Sequence, residues 1–298
     1  MLMQKTTIGF IGIGLMGLPM CRQLLRANAD LYVFNRNSEK CEPLVSEGAK
    51  QVYTLQDIAS QCDVIMLCVS NTQGVEAVMQ ALAPHLRTEQ LIIDFSSISP
   101  DTTVALAKQA QIAGACWIDC PVSGGVAGAE SGSLVMMAGG ATVDIERAMP
   151  LLKPLSQRVT HMGPSGAGQT TKVCNQMIVS CNVLVMAEAL ALAKKAGVDI
   201  SKIPPALQGG FADSIPLQLT GSRMAMQEFD EIKWHVKTLL KDLDMANQLA
   251  KNSNSEIPMA DLGVELMRRH ASNGFADQDP ATLITLYQGI DNPDLTKE

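Results

Sequence analysis

Thr7-Ile8-Gly9-Phe10-Ile11-Gly12-Ile13-Gly14-Leu15-Met16-Gly17 runs an apolar stretch straight into a loop whose glycines stand two and three residues apart. The run Thr7–Ile11 has the length and the isoleucine and phenylalanine content of a buried strand. Residues 17–26 then carry helical spacing, and a second apolar run, 31–34, follows. Glycines in such a loop permit a tight turn and a close backbone approach. The helix behind it offers unpaired N–H groups to an anion. A bare Gly-x-Gly-x-x-Gly is weak evidence. Placed between strand and helix, with a second strand in order, it becomes a dinucleotide signature, and it assigns Gly12, Ile13, Gly14, Leu15 and Met16 to a cofactor.

The pattern repeats along the first half. Further strands are expected at 64–69, 91–95, 116–119 and 134–138, with an edge strand at 158–161. Helices are expected at 38–46, 72–82 and 100–113. Alternation of this kind implies a parallel sheet with helices on both faces. After Gly168 the strand-like runs stop. Helical spacing covers 169–195, 200–208, 213–226, 233–251, 256–270 and 279–288, punctuated by Gly197, Gly209-Gly210 and Pro258. The chain therefore reads as α/β: a Rossmann-type doubly wound N-terminal domain over 1–165, then an all-α domain over 166–298. A long helix joins them, and the active cleft is expected at their junction.

A chain of 298 residues with 47% hydrophobic content can bury the cores of two domains. Its net charge of -7 argues against nucleic acid or an anionic membrane surface as partner. Eight cysteines lie scattered without a Cys-x-x-Cys pair, so neither a zinc site nor a disulfide framework is expected. Reduced, buried thiols in a cytoplasmic protein fit that distribution. No basic region and cleavage site precede the first strand, so no signal peptide is expected. The apolar span from Met177 to Ala193 is interrupted by Asn182 and Glu188, and reads as a buried core helix rather than a membrane crossing.

The end of the second strand discriminates between nicotinamide cofactors. An NAD site usually places a carboxylate there, against the ribose hydroxyls. This chain has Asn35-Arg36-Asn37-Ser38. Nothing there repels a 2′-phosphate, and the fork of Arg36 can bind one. NADP(H) is expected, with NAD(H) possible. Ser70, Asn71 and Ser97 follow the third and fourth strands, at the edge where ligands bind. They either line the nicotinamide or cap helices.

Two motifs carry the chemistry. Asp119-Cys120-Pro121-Val122-Ser123-Gly124-Gly125 ends a strand in a turn of bare backbone amides, a nest for a carboxylate, to which Ser123 adds a hydroxyl. Gly166-Ala167-Gly168-Gln169-Thr170-Thr171-Lys172-Val173-Cys174-Asn175 opens a helix on which Lys172 and Asn175, three residues apart, share a face. A lysine in an apolar cleft has its pKa lowered toward use as an acid.

With Met20 behind the glycine loop, the Asp-x-Pro-Val-Ser-Gly-Gly run, Gly163-x-x-Gly-x-Gly-x-x-x-Lys-x-x-Asn and Lys241-Asp242-Leu243, the whole chain resembles the β-hydroxyacid dehydrogenase family. The resemblance implies a Rossmann domain, a helical domain, and a homodimer or homotetramer built through the helical domains. It makes Lys172 the general acid, places Ser123, Gly124 and Gly125 on the substrate carboxylate, and gives Asn175 the orienting of the substrate. Lys241 would stand near the nicotinamide and Asp242 near Lys172. The substrate it implies is a small carboxylic acid bearing an aldehyde or a β-hydroxyl, and no metal enters. Trp234 (where phenylalanine is common), Cys120 and Ser97 depart from the pattern. Asn35-Arg36, Lys40-Cys41 and Leu44-Val45 look like the glyoxylate/succinic semialdehyde branch. The segments around Lys172–Gln176, Glu188–Leu190 and Gly209–Ser214 look more like the tartronate semialdehyde (2-hydroxy-3-oxopropionate) branch and lie nearer the chemistry. A silent NADP-binding sensor is the rival of another class. It would be expected to lose Lys172, Asn175 or the Ser-Gly-Gly turn, and all three are present.

Overall fold

β1 (Thr7–Ile11) lies at the centre of a sheet whose strand order reverses on either side of it, in a computed structural model that describes residues 6–287. The chain divides into two compact units, the first ending at Lys172 and the second starting at Val173. In the first unit β1 is followed by β2 (Asp30–Phe34), β3 (Lys50–Gln51), β4 (Val64–Leu67), β5 (Leu91–Asp94), β6 (Cys116–Asp119), β7 (Val122–Ser123), β8 (Leu134–Gly139) and β9 (Ser156–Gly163). The order is β3-β2-β1-β4-β5-β6-β8-β7, with β9 on β8. Pairs from β3 through β6 are parallel. The doubly wound order puts the ligand crevice at the carboxyl ends of β1 and β4, where the chain first crosses from one side of the sheet to the other.

Helices α1 (Gly17–Arg26), α2 (Glu42–Ser46), α3 (Leu55–Gln61), α4 (Thr72–Leu82), α5 (Pro100–Ile112), α6 (Gly125–Ser131) and α7 (Thr142–Leu152) connect these strands. Every residue of β4 and β5 is buried. Met66 and Ile93 enter one apolar cluster, while Ile65, Leu67 and Ile92 enter another. Alternate side chains thus feed two cores, which is why these strands read as unbroken apolar runs.

The sheet is mixed rather than wholly parallel, because β8 runs antiparallel to β6 and β7. Between β6 and β8 the chain has Cys120-Pro121, a two-residue strand, Gly124, α6 and Gly132-Ser133. A seven-residue helix is about 10 Å long, too short to carry the chain back across the sheet. Sequence patterning does not reveal β3, β7, α3, α6 or α7. The two strands have two residues each, and α3 has seven. The other two helices carry breakers, Gly128 in α6 and Pro150 in α7.

α8 (Ala167–Lys195) begins in the first unit and continues through the second. There α9 (Ile203–Leu207), α10 (Ser222–Met226), α11 (Val236–Asn252) and α12 (Pro258–His270) follow, with wide turns at Leu217–Gly221 and Ala271–Phe275 and a 3-10 segment at Pro280–Leu286. Their core gathers Ala187, Leu190, Leu239, Leu243, Met267 and Leu283, with Trp234 packed partly buried against it. Residue 288, where the last expected helix ends, lies outside the described residues, as does the tail beyond it.

α8 is not the fully buried core helix that its composition suggests. It is long and apolar enough to cross a membrane by length and composition, yet it buries one face and exposes Ile178, Val185 and Leu192 at seven-residue intervals. All eight cysteines are free thiols. Most are buried or half-buried, and Cys174 on α8 is the exposed exception.

Candidate functional site

The loop after β1 divides its labour among the glycines. Gly12 sits at φ 101°, and a Cβ there would stand 2.2 Å from the Cys68 carbonyl, so the loop closes only on glycine. Around Gly14 the Cβ position is open, with nothing within 4 Å. Bare backbone at that point faces free space, ahead of the N-terminus of α1. That terminus has no acidic residue in its first turn and no side-chain cap among the described residues. A pyrophosphate fits this cradle, because its oxygens can take the N–H groups that the protein leaves unmet. Leu15 is exposed and Ile13 is buried.

Asn35 acts on the loop itself. The Ile13 N–H donates to Asn35 Oδ1 at 2.9 Å, and Asn35 Nδ2 donates to the Asn37 carbonyl at 2.8 Å. Its carboxamide therefore ties the end of β2 to the glycine loop. Arg36, the next residue, is exposed. Ser70 and Asn71 are exposed too. Asn71 caps α4, its Oδ1 accepting from the Gly74 N–H at 2.8 Å. Ser97 does not cap α5, whose cap position is Ser99. From Leu91 to Ile98 every residue is buried except Ser97.

Below this edge lie two buried carboxyls on neighbouring strands, Asp94 paired with Asp119 across β5 and β6. Asp94 Oδ1 accepts from the Ser96 N–H at 2.9 Å, while Oδ2 has no hydrogen-bond partner. Burial, which the bonds from Ser96 only partly offset, pushes its pKa up to about 7. Burial also raises Asp119, against the opposing pull of backbone amides at the start of α8. The Gly166 N–H donates to Asp119 Oδ1 at 2.8 Å and the Gln169 N–H to Oδ2 at 2.9 Å. A carboxylate at the positive end of a 29-residue helix is favourably placed. The approach is close enough that a Cβ on Gly168 would stand 2.4 Å from the Met137 carbonyl. Asp119, the head of the Asp-x-Pro-Val-Ser-Gly-Gly run, thus anchors the helix that carries Lys172.

At the other end of that run Ser123 is half-buried on β7, and Gly124 and Gly125 are exposed at φ 127° and 60°. Lys172 follows Gln169 by three residues on α8 and is only 9% exposed. Among the described residues no group of three His, Cys, Asp or Glu side chains could hold a metal ion.

In the second unit the remaining expected residues form a chain of contacts. Asn175 Nδ2 donates to Gln176 Oε1 at 2.8 Å, and Gln176 Nε2 donates to Asp242 Oδ2 at 2.5 Å. Lys241 Nζ lies 3.1 Å from Asp242 Oδ1, an ion-pair distance without the alignment of a hydrogen bond. Asp242 is buried, and Lys241 is half-exposed. Gln176 joins Asn175 to Asp242, and only its place beside Asn175 hinted at that.

A glycine-loop dinucleotide cradle, a Ser-Gly-Gly turn and a buried lysine early in α8 are the parts expected of a nicotinamide-dependent oxidoreductase of hydroxy acids. Residues 7–163 match the family model described as the NAD binding domain of 6-phosphogluconate dehydrogenase. Residues 166–287 match that of the NAD-binding region of NADP-dependent 3-hydroxyisobutyrate dehydrogenase. The chain is 36% identical over 288 residues to 2-hydroxy-3-oxopropionate reductase of Escherichia coli (strain K12), covering 96% of this chain and 98% of that protein. It is 30% identical to the NAD-dependent L-serine dehydrogenase of Pseudomonas aeruginosa, covering 94% and 97%. Mycobacterium tuberculosis 3-hydroxyisobutyrate dehydrogenase, solved with L-serine, superposes with a TM-score of 0.88 at 26% identity, covering 96% and 100%. The chain belongs to the β-hydroxyacid dehydrogenase family and is an NAD(P)-dependent hydroxyacid dehydrogenase or reductase.

Proposed function

We propose that the protein reduces a short semialdehyde acid with NADPH, and that the substrate is 2-hydroxy-3-oxopropionate (tartronate semialdehyde). The full-length 36% identity to a reductase of that name supports the substrate, and Arg36 in place of a carboxylate at the end of β2 supports the cofactor. When bound, the nicotinamide supplies the hydride. The chain's own residues do the rest. Ser123 and the amides of Gly124 and Gly125 hold the substrate carboxylate, and Asn175 orients the carbon being reduced. Lys172 Nζ gives its proton to the carbonyl oxygen, and takes it back in the reverse direction. Lys241 serves the cofactor, and Asp242 serves the substrate side. A glyoxylate or succinic semialdehyde reductase is the second reading, favoured by Asn35-Arg36 and Lys40-Cys41. Assay of NADPH oxidation against the four aldehydes (tartronate, succinic and methylmalonate semialdehydes and glyoxylate) tests both. Turnover confined to another member of the set would reassign the substrate.

Arg36→Ala is expected to raise the KM for NADPH by about 10- to 100-fold, the worth of one or two charge-assisted hydrogen bonds to a phosphate, and to leave the KM for NADH unchanged. Equal effects on both cofactors would remove the assignment.

The reading includes a cytoplasmic homodimer, with the dimer as the unit of any tetramer. The exposed Ile178, Val185 and Leu192 stripe adjoins an open groove of about 580 Å³ lined by Val185, Met186, Leu207, Leu217, Met259 and the fully exposed Phe211. A seven-residue apolar repeat on a long helix packs against the same stripe of a second copy. Light scattering is expected to give a dimer or a larger even assembly, and Val185→Glu a monomer. A monomeric wild type would overturn this.

A further inference from the structure

Gln169 makes hydrogen bonds on both sides of Ser97, and its place is one turn before Lys172. The residue is 1% exposed. Nε2 donates to the Ser96 carbonyl at 2.7 Å, and Oε1 accepts from the Ile98 N–H at 3.2 Å. The two bonds bracket Ser97, the one residue of 91–98 that is not buried. The backbone N–H of Gln169 goes to Asp119, which fixes the start of α8 to β6. On the other side, Ser96 Oγ accepts from the Val69 N–H at 3.0 Å, so the loop after β4 joins the same network.

We propose that Gln169 is a positioning residue that locks the Ser97 loop, on the cofactor side, to the helix turn that presents Lys172, on the acid side. The inference rests on the reading of Ser97 as a cofactor contact and of Lys172 as the acid. Only a primary carboxamide of this length donates to one strand-end carbonyl and accepts from an N–H two residues away. A carboxylate lacks the donor, and an aliphatic side chain lacks both. Losing the amide would leave a buried carbonyl and a buried N–H unmet, and each such group costs enough to shift the loop instead. A shifted loop moves Ser97, and the same slack at the first turn of α8 moves Lys172. One substitution therefore changes two quantities that separate sites would change singly.

The test is Gln169→Met, which keeps length and bulk but makes neither bond. NADPH fluorescence titration is expected to show a Kd raised about tenfold, with kcat at saturating NADPH lowered about tenfold and the aldehyde KM within about twofold of wild type. An unchanged Kd, with or without a change in kcat, would overturn the proposal. If the methionine variant does not fold, the same readouts apply to Gln169→Glu. It keeps the acceptor for Ile98, lacks the donor to Ser96, and is expected to shift both quantities in the same direction. Ser97→Ala run alongside separates the two levels. If it leaves the NADPH Kd unchanged, the reading of Ser97 has failed. If it weakens NADPH while Gln169→Met does not, the clamp alone has failed.

Discussion

Lys172→Ala is expected to lower kcat by about 100- to 10,000-fold while leaving the NADPH Kd within about twofold, because general acid catalysis contributes that much and the cofactor cradle lies elsewhere in the chain. Lys172 is buried on α8, whose start is held by two backbone amides on Asp119. The nitrogen is therefore carried on a fixed helix rather than a loose side chain at the surface. Lys172→Arg separates proton donation from charge. A guanidinium keeps the positive charge but does not release a proton in the working range, so it is expected to stay as poor as alanine. An arginine variant near wild-type activity would mean that Lys172 acts as a charge. An alanine variant within about tenfold of wild type would take the acid role away altogether.

The residues assigned from sequence to that chemistry were legible because their spacing is local. Gly12 and Gly14 fall within one loop with Gly17 opening the helix behind it, Ser123 to Gly125 within one turn, and Lys172 and Asn175 within one helical turn. Their supports were not legible, because they act across the sheet. Asn35 reaches back 22 residues to Ile13, Gln169 reaches 50 residues to Asp119 and 73 to Ser96. Nothing in the letters around Asn35 distinguishes a ribose contact from a clamp on the glycine loop. Asn71 had the same ambiguity, and only the position of the Gly74 N–H shows that it caps α4.

The fold was legible where burial is two-sided. β1, β4 and β5 have cores on both faces and announce themselves as apolar runs, and α1 and α4 run over the spans their helical spacing marks. Elements decided by a neighbour escaped. β3 has two residues and exists because β2 offers an edge, and β7 forms only against β8. The exposed stripe on α8 escaped for a different reason. Apolar composition records how oily a helix is, while the choice of face that meets protein belongs to its surroundings, so Ile178, Val185 and Leu192 read like core residues.

In the helical unit the largest expected loss of stability comes from Asp279→Ala, about 3 to 5 kcal/mol, because it strands a guanidinium that the fold has largely removed from water. The Asp279 side chain is fully buried and Arg223 is 14% exposed, with Nη1 2.8 Å from Asp279 Oδ2. The same carboxylate accepts from the Lys233 N–H at 2.8 Å and the Ala281 N–H at 2.9 Å, while Arg223 Nη2 donates to the carbonyls of Glu228 and Glu231. Asp279 thus ties α10, through the ion pair, and the segment before α11, through the Lys233 N–H, to the 3-10 turn at Pro280. Thermal unfolding is expected to start roughly 10 °C lower in Asp279→Ala, read as the first transition since two units need not melt together. The charge argument has its own check. Asp279→Asn keeps an acceptor for an amide but loses the counter-charge, and adding Arg223→Met removes the stranded cation. The double variant is expected to be more stable than Asp279→Asn alone. If the two losses simply add, the unpaired charge is not what destabilises the protein, and the lost backbone hydrogen bonds must account for the effect.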